Sequence, residues 1–265
     1  LKFIYLHFYV NYLFVTMSGH SKWATIKRKK AAIDAARGRV FTQIVKEITI
    51  AARVGGGNPD GNPRLRLAID KAKSVNMPQD NIKRGIMKGT GELPGVSYED
   101  VLYEAYGAAG VALLIECVTD NKNRTVSEIR HLLERNGGKL ATSGAVEWLF
   151  HRKGVMHVAK TICGEDDLLA IVLDAGADDM KTEDEFYQVI TTPENFETVK
   201  NALSKKGIET ESAELARIPE NTVKVEGKDA NAVLRLIESL EEHEDVQNIS
   251  ANFDIDEKTM AEYNG

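Results

Sequence analysis

Basic side chains at regular spacing carry the plainest chemistry in this chain. Lys22, Lys27, Arg28, Lys29 and Lys30 surround one aromatic, Trp23, in MSGHSKWATIKRKK. Arg37 follows, then Arg39, Lys46 and Arg53, spaced seven apart. On a helix that spacing stacks three cations with little angular drift. Such a row suits a polyanion, and it equally suits a solvated basic face with no partner. Trp23 could stack on an unpaired base or could staple the arm onto a helical bundle. Arg64, Arg66, Lys71 and Lys73 supply further cations just downstream.

A second candidate is Asp120-Asn121-Lys122-Asn123-Arg124-Thr125, between an apolar run and a helical pattern. Asn121, Asn123 and Arg124 could meet a phosphate at the helix start, while Asn121 or Asn123 could simply cap it. Signals for catalysis are weak. The histidines His7, His20, His131, His151, His157 and His243 form no metal pair at helical spacing, and Glu128 with His131 is a lone i, i+3 neighbour pair. Walker A, G-x-S-x-G and G-x-G-x-x-G patterns are absent. Acidic runs at 165–167, 183–185 and 241–245 read as solvated turns and helix ends in preference to cation sites. Cys117 and Cys163 match no metal or redox spacing, and Cys117 in its apolar run reads as a buried free thiol.

The elements that position these residues follow from periodicity. Val40, Phe41, Ile44, Val45, Ile48, Ala51 and Ala52 trace one helical face. A turn-rich loop at 55–63 leads to a helix over 63–75, and Pro78 opens a third with Ile82 and Ile86 inward. Residues 89–95 read as a linker. Beyond it the chain reads as strand, helix, strand over 111–118, 123–136 and 145–150, resumed by strand, helix, strand over 222–226, 229–242 and 246–253. Residues 154–217 repeat that order, and Val101–Tyr106 adds an extra strand. The expected fold is α+β and multidomain. A basic three-helix bundle (17–94) precedes two ferredoxin-like βαββαβ domains, one (154–217) inserted in the other (95–153 with 218–265). Leu1–Thr16 is apolar but lacks a cleavage site and is short of the ~20 residues of a bilayer span, so Met17 is the expected start.

The 265-residue chain carries a net charge of −6, which conceals a division. Residues 1–94 hold 17 Lys+Arg against 6 Asp+Glu, a net of +11, and residues 95–265 hold 17 against 34, a net of −17. A basic end on an acidic body points to nucleic acid at the basic end alone.

The opening Met17-Ser18-Gly19-His20-Ser21-Lys22-Trp23 resembles the start of the YebC family. Asn76-Met77-Pro78, Tyr103-Glu104 with Tyr106-Gly107, Thr119-Asp120-Asn121 leading to Asn123-Arg124-Thr125, and Gly144-Ala145-Val146 continue the likeness in order over about 17–253. Where the family usually has Tyr-Glu-Gly-Tyr-Gly-Pro-Gly-Gly, this chain has Ala105, Ala108 and Ala109. The resemblance implies a helical domain followed by two α/β domains around a crevice. It also implies a role like that of bacterial transcriptional regulators or of the mitochondrial translational activator of cytochrome c oxidase. The resulting expectation is a cytoplasmic, monomeric, non-enzymatic regulator that binds DNA or, alternatively, ribosomal RNA and the ribosome. It needs no cofactor, metal or membrane. An enzyme working in the interdomain crevice is the remote third reading.

Overall fold

The computed structural model describes Trp23 and residues 35–183 and 185–263, with the side chains of 35–37 and 257 excepted. Helices α1 (Ala35–Gly55), α2 (Pro63–Ser74) and α3 (Gln79–Thr90) form the N-terminal bundle. Its core joins Ile44, Ile48, Ala51 and Ala52 to Leu65, Ala68, Ala72, Met77 and Ile82, the seam that the 3.6 period requires. Two glycines set the distance between α1 and α3. A Cβ on Gly85 would press on Ile48, and one on Gly89 would overlap the Thr49 carbonyl oxygen. Asn62 fastens the α1–α2 corner. Its Oδ1 accepts the Leu65 N–H at 3.1 Å, capping α2, while Nδ2 donates to Ala51 O and Gly56 O at 2.8 Å each.

Strands β1 (Glu99–Tyr106) and β2 (Ala112–Thr119) make an antiparallel hairpin. Helix α4 (Lys122–Arg135) then crosses to β3 (Lys139–Leu140), which pairs with β1. The chain next enters an inserted unit of β4 (Phe150–Ala159), α5 (Glu165–Asp174), β5 (Asp179–Thr182), β6 (Phe186–Thr191), α6 (Phe196–Lys205) and β7 (Ser212–Pro219). Its sheet runs β5-β6-β4-β7 with every pairing antiparallel, the ferredoxin-like order for βαββαβ. The chain returns through β8 (Val223–Lys224), α7 (Gly227–Glu241), β9 (Val246–Ala251), β10 (Phe253–Asp254) and α8 (Glu257–Glu262). The outer sheet runs β3-β1-β2-β9, with α4 and α7 contributing to the core on one face.

That outer sheet keeps the ferredoxin-like layout while filling it differently from the expected strand list. Its third place is taken by β1, the strand expected as an extra, and β2-α4-β3 straddles it as a split βαβ unit. Residues 222–226 instead supply β8, which pairs in parallel with β10. Residues 145–149 form no strand, a 3₁₀ turn occupying Glu147–Leu149, and Phe150 instead opens β4. The cause is Glu104. Its carboxylate is 4% exposed and accepts the backbone N–H groups of Gly144, Val146 (2.6 Å) and Glu147 (2.9 Å), donors that a strand would spend on a neighbour. Burial pushes this carboxyl up, but the backbone donors outweigh it and hold Glu104 below the ordinary range.

Polar ties connect the units. Arg217 on β7 reaches Glu116 at 3.0 Å and Glu147 at 3.5 Å, joining the inserted sheet to the outer one. Leu67 of α2 packs on the core of the inserted unit, and Lys200 lies 3.5 Å from Asp70. Cys117 is 2% exposed, and burial pushes its thiol up to about 12. No helix among the described residues is long and apolar enough to cross a membrane.

Candidate nucleic-acid interface

The heptad row on α1 faces the chain's own body. Arg39 NH2 lies 3.5 Å from Glu242 Oε1. One turn on, Gln43 Nε2 donates to Val246 O at 2.9 Å and His243 O at 3.3 Å. Lys46 Nζ reaches Asp245 Oδ1 at 2.6 Å and Glu244 O at 3.2 Å. Arg53 bonds Ser97 Oγ and, at 3.3 Å, Tyr98 O. Arg39 and Lys46 therefore have an acidic partner, the 241–245 turn between α7 and β9, while Arg53 is held by the 97–98 backbone and hydroxyl. Two expectations change together: Asp245, at the end of that turn, is buried and not solvated, and Lys46, 6% exposed, is no surface cation.

Asp245 is the centre of this contact. Its carboxylate is 0% exposed and meets Lys46, Arg124 NH2 at 2.7 Å and Thr125 Oγ1 at 2.8 Å. Burial pushes the carboxyl up, but these three donors prevail and set it at about 2. Beside it, His243 Nδ1 accepts the Asp245 N–H at 3.1 Å, which leaves Nε2 to donate to Glu128 at 2.8 Å. Ligand atoms of Glu128, His243 and Asp245 lie within 4.8 Å of one another. With two protein cations already on Asp245, the trio is built as a salt-bridge network.

The same network absorbs the segment expected to hold phosphate. Asn121 Oδ1 accepts the Arg124 N–H at 3.1 Å, so Asn121 is the N-cap of α4. Arg124 divides its guanidinium between Asp245 and Asp120, the latter at 3.0 Å, and Asn123 is left exposed. Arg64 is pinned likewise, by Glu47 at 2.7 and 3.0 Å and Asp100 at 2.8 Å twice, which raises its pKa further. Trp23 is 3% exposed and meets Tyr263 edge-on, ring centres 5.6 Å apart. A ring so enclosed offers no open face to a base. It is a staple, though onto the core of the outer α/β unit and not onto the bundle.

Of the expected basic positions, Lys71 and Lys73 on α2 are exposed, Lys73 lying 3.9 Å from Asp70. Arg66 is half-buried. Lys22, Lys27, Arg28, Lys29, Lys30 and the Arg37 side chain lie outside the described residues. Three cations that the sequence reading passed over join Lys71: Lys83, Arg84 and Lys88 on α3, all exposed. None of these four makes an ion pair among the described residues. The signal was present, because Ile82 and Ile86 inward place 83, 84 and 88 outward on a 3.6 period.

Comparison with known proteins gives this arrangement its relatives. Residues 21–92 match the family model described as the TACO1/YebC protein N-terminal domain, and residues 98–253 match the TACO1/YebC second and third domain. A "Probable transcriptional regulatory protein" of Chlorobium phaeobacteroides is 55% identical over 249 residues, 94% of this chain and 100% of that one. A protein of the same description from Geobacter sulfurreducens is 53% identical over 244 residues, 92% of this chain and 98% of its own. The crystal structure of a conserved hypothetical protein from Aquifex aeolicus superposes with a TM-score of 0.80 at 45% identity, covering 89% of this chain and 97% of that one. Both domain models match in order across nearly the whole chain: it belongs to the TACO1/YebC family.

Proposed function

We propose that this protein is a non-enzymatic, cytoplasmic regulator of gene expression that binds nucleic acid through its N-terminal bundle. The observation that carries the reading is the set Lys71, Lys83, Arg84 and Lys88, exposed and free of ion pairs among the described residues, on the N-terminal segment 1–94 with its net charge of +11. Cations already matched by carboxylates contribute little to a phosphate contact, whereas unmatched ones release counterions when they bind. The names of the relatives support a regulator of transcription, and duplex DNA is the target we propose for that role.

A second reading, a translation factor seated on ribosomal RNA, is favoured by one observation. The longest basic row lies on α1 and is docked on the body, so α1 does not present that row to a major groove. Sedimentation of a cell lysate at low salt tests both readings. The protein should travel with large nucleoprotein and leave it as salt rises. Release by DNase assigns it to DNA and release by RNase to ribosomes, while a protein that stays at the top of the gradient in low salt contradicts both.

A further inference from the structure

Trp148 is 62% exposed and is the one aromatic among the exposed large hydrophobic side chains of the described residues. It is nonetheless held in place. Its Nε1–H donates to Ala145 O at 3.2 Å, and the Tyr106 hydroxyl donates to that same oxygen at 3.4 Å. Ala145 is itself flanked by Gly144 and Val146, whose N–H groups are gripped by the buried Glu104 carboxylate. The indole is thus tied by its one polar atom to a segment clamped from beneath. Lys139 Nζ sits over the neighbouring Tyr106 ring, 5.9 Å from its centre. Arg152 follows four residues after Trp148, exposed on β4. Lys139 and Arg152 make no ion pair among the described residues, and Glu147, next to Trp148 in the chain, lies 3.5 Å from Arg217.

A rigid, exposed indole that shares its carbonyl anchor with the tyrosine under Lys139 has a definite chemical counterpart. Its π-face suits another flat ring, and the lysine suits an anionic chain attached to that ring. Immobilising the ring beforehand removes part of the entropy cost of binding. We infer that Trp148 is a stacking platform for an unpaired nucleobase, with Lys139, held over the Tyr106 ring, meeting an adjoining phosphate. The inference rests on the nucleic-acid reading above and adds to it a preference for unpaired over duplex strands, since a base inside a duplex already stacks on its neighbours.

The test compares full-length wild type, W148A and W148F on a mixed-sequence single-stranded RNA, the same strand as DNA, and the corresponding duplex. Trp148 lies outside the cores, so thermal unfolding of the variants should match wild type. W148A should bind both single strands about 5- to 150-fold more weakly with an unchanged salt slope, W148F should keep much of the affinity, and duplex binding should hardly move. Wild-type binding that survives W148A on single strands overturns the platform alone, as does equal loss on single strand and duplex. If wild type binds none of the three at low salt, the nucleic-acid reading falls and the platform with it.

Discussion

Asp245 couples folding to pH. Its native pKa of about 2 lies below the ordinary aspartate value, so its contribution is complete above about pH 4 and is lost as pH falls toward 2. On that shift it adds about 2 kcal/mol at neutral pH. Asp245→Asn leaves Lys46 buried without its counter-charge and should cost about 3 kcal/mol. Urea unfolding at neutral pH and near pH 3 measures both effects: the variant should be much less stable at neutral pH, with the gap narrowing in acid. Ala109 makes a residue-scale prediction of the opposite sign. It holds φ 54, a left-handed conformation that costs an L-residue about 1–2 kcal/mol, in the turn where the family usually has glycine. Ala109→Gly relieves that cost but loosens the unfolded chain, for a net gain of about 0.5–1 kcal/mol. A rise in melting temperature checks it.

Helix α1 shows what spacing can and cannot reveal. Its apolar seam and its heptad of cations were both legible, because each depends only on the period of a helix. The partner of the cations was not, since Glu242 lies 203 residues from Arg39 and nothing local announces the contact. The order of the inserted βαββαβ unit was readable from alternating strand and helix patterns. The absent strand at 145–149 was hidden for a physical reason: its backbone donors are claimed by a carboxylate about forty residues upstream. The docked row reverses an expectation about mutants. By charge alone, replacing Arg39, Lys46 and Arg53 with Gln should leave the fold intact and weaken binding. With the row docked, Lys46→Gln should destabilise the protein, while replacing the half-buried Arg39 or the exposed Arg53 should cost under about 1 kcal/mol each. Chemical denaturation of the single variants separates them. Gly89→Ala should lower stability by about 1–3 kcal/mol, because α3 cannot approach α1 so closely with a Cβ there. Unchanged stability would mean that this helix pair has room to shift.

Across the whole molecule, the division into a basic end and an acidic body acquires two uses. Part of the positive charge fastens the bundle to the acidic α7–β9 turn, and part remains on α2 and α3 for a partner. Counting lysines and arginines could not separate these uses, whereas the ion pairs do. The account therefore stands on one comparison of salt dependence. Nucleic-acid affinity would be titrated against salt for wild type, for the quadruple Lys71, Lys83, Arg84 and Lys88 to Gln variant, and for the double Arg39 and Arg53 to Gln variant. The quadruple variant should bind more weakly, with a slope of log affinity against log salt shallower by about 3 units, and the double variant should keep the wild-type slope. A shallower slope in the double variant with no change in the quadruple one would contradict this assignment, and a flat wild-type profile would contradict phosphate binding by the bundle altogether.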